Sequence, residues 1–96
     1  MNDIIELQGD DLEHYVGMDN LIVMFKSDGC GACRKLLPHL RKLENIHTII
    51  IVDSLKHVKS CKFLPGVIKY YPTIAFFNKG VYIKELTQHD IINQTI

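Results

Sequence analysis

Ninety-six residues are enough chain for one compact core and leave no room for a second. Eleven Lys and Arg balance eleven Asp and Glu, so no global field draws the chain to nucleic acid or to an acidic membrane surface. Apolar residues make up 47% and charged residues 23%, as in an ordinary globular domain, and apolar runs such as residues 49–52 fall far short of a bilayer span.

The opening Met1-Asn2-Asp3-Ile4-Ile5-Glu6 puts no basic stretch ahead of an apolar one. No secretory signal is expected, and a reducing, cytoplasmic setting is the default. Three cysteines, an odd number, do not fit a secreted disulfide framework. In a reduced compartment they serve as buried small hydrophobes, metal ligands or reactive thiols.

Repeats, low-complexity stretches and linkers are absent, so residues 1–96 are taken as a single domain. Residues 3–7 suit a short edge strand. Gly9, Asp10 and Asp11 then supply turn and N-cap chemistry for a short helix reaching about Gly17. Leu21-Ile22-Val23-Met24-Phe25 is continuously apolar, the pattern of a strand buried on both faces.

After Ser27-Asp28-Gly29-Cys30-Gly31-Ala32, a helical stripe runs through Cys33, Leu36, Leu37, Leu40 and Leu43 at offsets of three and four. Arg34, Lys35, Arg41, Lys42 and Glu44 fill the other side, which reads as a solvated face. Pro38 interrupts this pattern; the helix either bends there or begins near it. Residues 48–52, β-branched almost throughout, form a second buried strand.

Residues 54–64 are mixed and read as a helix that Pro65-Gly66 stops. Residues 73–77, the turn Asn78-Lys79-Gly80 and residues 81–86 make a hairpin. Thr87 caps a last short helix that turns Ile91, Ile92 and Ile96 inward. The order β-α-β-α-β-α-β-β-α predicts an α/β fold in which a mixed central sheet has helices on both faces.

Cys30 and Cys33 form a CxxC where a buried strand turns into a helix. Residues three apart in a first helical turn lie on one face about 5–6 Å apart, within disulfide reach. At a helix start the unpaired N–H groups and the positive end of the dipole stabilise a thiolate. Such sites lower a cysteine pKa to roughly 3.5–7.5. Gly31 and Ala32 are small and Gly29 flanks the pair, so a partner disulfide can approach closely. A thiol–disulfide exchange site is the reading these residues favour. The rival is a metal site, but zinc wants four ligands, and neither a second CxxC nor a His-x₃₋₅-His is present.

Read together, these residues resemble the thioredoxin family. Cys30-Gly31-Ala32-Cys33 matches that family's active-site CGPC with alanine in place of proline, a basic Arg34 follows, and Pro38 stands where the family kinks this helix. Leu21 to Phe25 resembles its central strand and Val52-Asp53 the end of the next. Tyr71-Pro72-Thr73 resembles its Ile-Pro-Thr, and Phe76-Phe77-Asn78-Lys79-Gly80 the strand and turn that follow. The resemblance covers roughly residues 3–95. It implies a cis Pro72 facing the cysteines, with Gly29, Gly31, Ala32, Tyr71 and Pro72 contacting substrate.

The departures are also specific. Lys26 and Gly29 stand where thioredoxin carries tryptophans, Met24 where it has a buried acid behind the second cysteine, and Ile49 where it has a neighbouring lysine. The stretch between Asp53 and Pro72 is longer, and the last strand and helix are trimmed. Glutaredoxin is a weaker match, because no Gly-Gly pair follows the hairpin.

Cys61 is read as a bystander thiol, and His14, His39, His47, His57 and His89 as surface or packing residues. The resulting expectation is a monomeric disulfide oxidoreductase without metal or bound cofactor. Cys30 attacks and Cys33 resolves; the partners are a disulfide-containing protein and a thiol reductant or reductase. The alternatives are a binding module with little turnover and a CxxC metal-binding protein.

Overall fold

The computed structural model describes residues 4–96, so Asp3 of the expected first strand lies outside the described residues. Five strands form one sheet: β1 (Ile4–Glu6), β2 (Leu21–Lys26), β3 (Thr48–Asp53), β4 (Thr73–Asn78) and β5 (Val81–Leu86). Their spatial order is β1-β3-β2-β4-β5. β3 runs parallel to β1 and β2, while β4 is antiparallel to β2 and β5. Two α-helices complete the frame, α1 (Gly31–Arg41) and α2 (Gln88–Asn93).

The continuous apolar runs have a simple cause. β2 and β3 lie inside the sheet, and alternate side chains of each enter a different core. Ile22, Met24, Ile49 and Ile51 pack beneath α1 and α2 with Leu36, Leu40 and Ile91. Val23, Phe25, Ile50 and Val52 face the other side with Leu12 and Phe77. Fully burying one such side chain contributes roughly 1.5–3 kcal/mol, so the two faces together fix the register of β2 against β3.

The hairpin turns at Lys79 and Gly80, both at positive φ (52° and 86°), which matches the right-handed strand twist. α2 opens with a reciprocal capping box, in which Asp90 N–H donates to Thr87 Oγ1 at 3.0 Å and Thr87 N–H donates to Asp90 Oδ2 at 2.9 Å.

Three expectations need correction. The first connecting helix is only a 3₁₀ turn, Leu12–His14, and residues 54–64 hold a 3₁₀ segment over Val58–Phe63 rather than an α-helix. The Asp53 carboxylate accepts from Leu55 and Lys56 N–H groups at 3.1 and 3.3 Å, closing a local turn directly after β3. Ile92 points outward, 47% exposed, while Ile91 is buried and Ile96 packs against the core. Pro38 lies inside α1, which starts at Gly31 and continues through it to Arg41.

Candidate active site

β2 ends at Lys26, and a tight turn carries the chain into α1. Cys30 N–H donates to Ser27 C=O at 3.3 Å. Gly29 sits at φ +78°, a conformation that strains any residue with a Cβ. Cys30 is the N-cap of α1: its C=O accepts from Arg34 N–H at 3.3 Å, and its Sγ accepts from Cys33 N–H at 3.1 Å. One of the donors left free at the helix start is thus aimed at the sulfur.

Cys30 and Cys33 are joined as a disulfide with Cα atoms 5.3 Å apart. The two sulfurs differ in environment. Cys30 is half-buried at the rim, whereas Cys33 is 2% exposed within the core cluster that holds Met24 and Leu36.

Of the other expected site residues, Gly29, Gly31 and Ala32 flank the cysteines in the chain. Gly29 is exposed, and Gly31 and Ala32 are half-exposed in the first stretch of α1. The Tyr71–Pro72 bond is cis, Pro72 is buried, and Tyr71 packs against the same core cluster as Cys30. Thr73 pairs with Phe25 across β2 and β4, which sets the Pro72 segment beside the strand leading into the cysteine turn. Thr73 Oγ1 donates to Tyr70 C=O at 2.7 Å and braces that segment.

A pocket of about 280 Å³ opens beside the disulfide, with both cysteines in its wall. Ile4, Met24, Leu37 and Ile51 make its apolar side. Lys26, Arg34 and Arg41 bring three cations to it, and Glu6 and Asp28 two carboxylates. Lys26 Nζ lies 3.6 Å from Glu6 Oε1 and faces Asp53 in the β2–β3 register. Burial pushes the Asp53 carboxyl up, but the Lys56 and Leu55 N–H groups and the Lys26 and Lys56 charges outweigh it and leave the pKa below 3.8.

The thiols are legible in the sequence, whereas Arg41 reads there as part of a solvated face and Arg34 as that and as the basic residue after the second cysteine. Their spacing held the missing signal: positions 30, 34, 37 and 41 recur at three and four, so the two arginines and Leu37 share the face of Cys30.

Cys61 is a half-buried free thiol whose pKa is raised, first by burial. Among the described residues, no group of three or more His, Cys, Asp or Glu side chains converges as a metal site would require.

A strand, a tight turn, a CxxC disulfide at a helix start and a cis proline, all on a mixed five-stranded sheet, define a thioredoxin-fold protein equipped for thiol–disulfide redox chemistry. The thioredoxin family profile matches residues 3–95, and the chain belongs to that family. It is 34% identical over 86 residues to the "Probable protein disulfide-isomerase A6" of Medicago sativa. That alignment takes in 82% of this chain but only 23% of the longer relative.

Solved thioredoxins share the fold at lower identity. The reduced thioredoxin pre-protein of Schistosoma mansoni superposes with a TM-score of 0.78 at 22% identity, covering 99% of this chain and all of that one (100%). Oxidised thioredoxin O2 of Arabidopsis thaliana gives 0.75 at 21% identity, covering 96% and 88%.

Proposed function

We propose that this protein reduces protein disulfides, with Cys30 as the attacking thiol and Cys33 as the resolving thiol. The observation that carries this reading is the asymmetry of the pair. Cys30 is half-buried and its Sγ accepts a backbone N–H at a helix start, while Cys33 is 2% exposed.

In the reduced protein, the Cys30 thiolate attacks one sulfur of a substrate disulfide. The other substrate sulfur leaves as a thiolate and takes a proton from water, giving a Cys30–substrate mixed disulfide. Cys33 then loses its proton and attacks Cys30 Sγ. The second substrate sulfur departs as a thiol, and the Cys30–Cys33 disulfide returns. Two electrons have passed to the substrate, and an external dithiol or reductase must supply two more for another cycle. No bound cofactor enters these steps.

Gly29, Gly31, Ala32, Tyr71 and Pro72 form the contact surface for the substrate segment in this reading. A reducing compartment such as the cytoplasm suits it, with the protein working as a monomer. The name of the Medicago sativa relative raises disulfide isomerisation as a related outcome for the same dithiol. A second reading, a docking module with little turnover, draws on Met24, an apolar side chain at 1% exposure in the core cluster of Cys33.

A turnover assay separates the two. With dithiothreitol as reductant and a protein disulfide as substrate, the protein accelerates reduction catalytically, and Cys30→Ser does not. A rate no greater than that of dithiothreitol alone would select the docking module.

A further inference from the structure

The chain has no net charge, yet α1 distributes its charge unevenly. Gly31–Arg41 contains Arg34, Lys35 and Arg41 and no acid, and Lys42 follows as its C-cap. Among the described residues, neither Arg34 nor Arg41 is in an ion pair. Both lie on the wall of the 280 Å³ pocket beside the disulfide. Of the remaining charges there, Lys26 and Glu6 are engaged with each other at 3.6 Å. Asp28 is left as the single carboxylate against two guanidinium groups.

Leu37 lies between the arginines in sequence, and with Met24 and Ile51 it gives the pocket an apolar side. This combination suits a short aliphatic stem ending in a carboxylate. Two guanidinium groups can each offer a forked pair of donors to carboxylate oxygens, while the stem's methylenes lie on Leu37 and Met24. A free inorganic anion would leave the apolar wall uncovered.

We infer that this pocket is a subsite for a glutamate or aspartate next to the substrate's disulfide cysteine, so that the preferred substrates are protein disulfides flanked by acidic residues. The inference rests on the proposed disulfide reduction and adds its substrate class. The reach is short. Both cysteines line the same pocket, and a chain held at Cys30 gains about 3.3–3.6 Å per extended residue, so an immediate neighbour of the attacked cysteine can enter.

The test uses peptide disulfides of one sequence, with Glu, Gln or Lys at the two positions flanking the cysteine. Each is reduced by the pre-reduced protein under single-turnover conditions. At an ionic strength of about 0.05 M the Glu peptide reacts about tenfold faster than the Lys peptide, with Gln between them, and the preference shrinks strongly at about 0.5 M.

In Arg34→Gln/Arg41→Gln the Glu-to-Lys ratio falls to near one. All four basic side chains are exposed, so this variant and a charge-matched control, Lys35→Gln/Lys42→Gln, leave the core intact. At about 0.15 M salt, where screening acts over roughly 8 Å, the lysine control keeps most of the preference. A wild-type ratio near one overturns the subsite. So does a ratio that survives loss of the arginines, or one lost equally in the lysine control. The uncharged Gln peptide tells the two failures apart: if the wild type does not reduce even that peptide, disulfide reduction itself is wrong.

Discussion

Cys33 N–H donates to Cys30 Sγ at 3.1 Å, so the buried cysteine's backbone holds the half-buried cysteine's sulfur at the N-cap of α1. When the disulfide opens, that donor and the helix dipole favour a thiolate at Cys30. Cys33 has no matching exposure. After reduction, iodoacetamide near neutral pH therefore modifies Cys30 first, Cys61 more slowly because burial raises its pKa, and Cys33 last. Peptide mapping of a time course reads the order, and early modification of Cys33 would reverse the two roles.

Met24 sets the second expectation. It is 1% exposed in the core cluster of Cys33, and its thioether neither titrates nor accepts a strong hydrogen bond. A Cys33 thiolate formed there is desolvated without compensation, so resolution of the mixed disulfide is slow at neutral pH and speeds up as pH rises. Met24→Asp accelerates resolution near pH 7. It also destabilises the domain, on the order of several kcal/mol when ionised.

The sign follows from burial. The folded state raises the new carboxyl's pKa, so stability falls as pH climbs above the unfolded value of about 3.9 and levels off above the folded pKa. Stopped-flow kinetics between pH 6 and 9, with denaturant unfolding from pH 3 upward, measure both. Identical, pH-independent resolution in the two proteins would place the proton elsewhere.

His47 gives the fold its own pH dependence. It is 8% exposed, lies edge-on to Phe76 with ring centroids 5.8 Å apart, and donates Nδ1–H to Asn20 C=O at 3.2 Å. Burial lowers its pKa from 6.5, although the Asn20 bond opposes the shift. The unfolded chain therefore binds this proton at higher pH than the folded one. Stability is full above 6.5 and falls as pH drops from there toward the folded pKa. Asp53 and Asp90 shift downward from 3.8, so their contributions are lost only at lower pH. Urea unfolding from pH 5 to 8 shows this slope in the wild type, and it flattens in His47→Gln.

Thr87→Ala removes one half of the capping box on α2 and costs about 1 kcal/mol. Thr87→Ser, which retains the acceptor, recovers most of it. Because Ile91 is buried against the core under α1, the loss appears in global unfolding and not only as fraying of the C-terminal helix.

Much of this was legible in the sequence, and the reasons are local. Residues 21–25 and 48–52 read as strands because both faces of each are buried. Asn78-Lys79-Gly80 read as a turn because two successive residues there take positive φ. The CxxC was readable because helix geometry alone brings positions 30 and 33 together.

The errors arose where tertiary contacts decide. Asp10 reaches across to the 54–64 stretch, accepting from Lys59 N–H at 3.0 Å and Ser60 Oγ at 2.7 Å, and no sequence period signals that tie. Ile92 differs from Ile91 only by one helical step. The pocket was hidden because it joins β1, β2, β3 and α1, and the Lys26–Glu6 pair closes only once β1 and β2 flank β3.

The most direct test of the central claim is a trap. A Cys33→Ser/Cys61→Ser protein, pre-reduced and mixed with a protein disulfide, has Cys30 as its only thiol. It accumulates a stable mixed disulfide that mass spectrometry maps to Cys30 and that dithiothreitol releases. Cys30→Ser/Cys61→Ser, with Cys33 alone, forms no such adduct over the same time. An adduct on Cys33 in the second protein and none on Cys30 in the first would contradict the account.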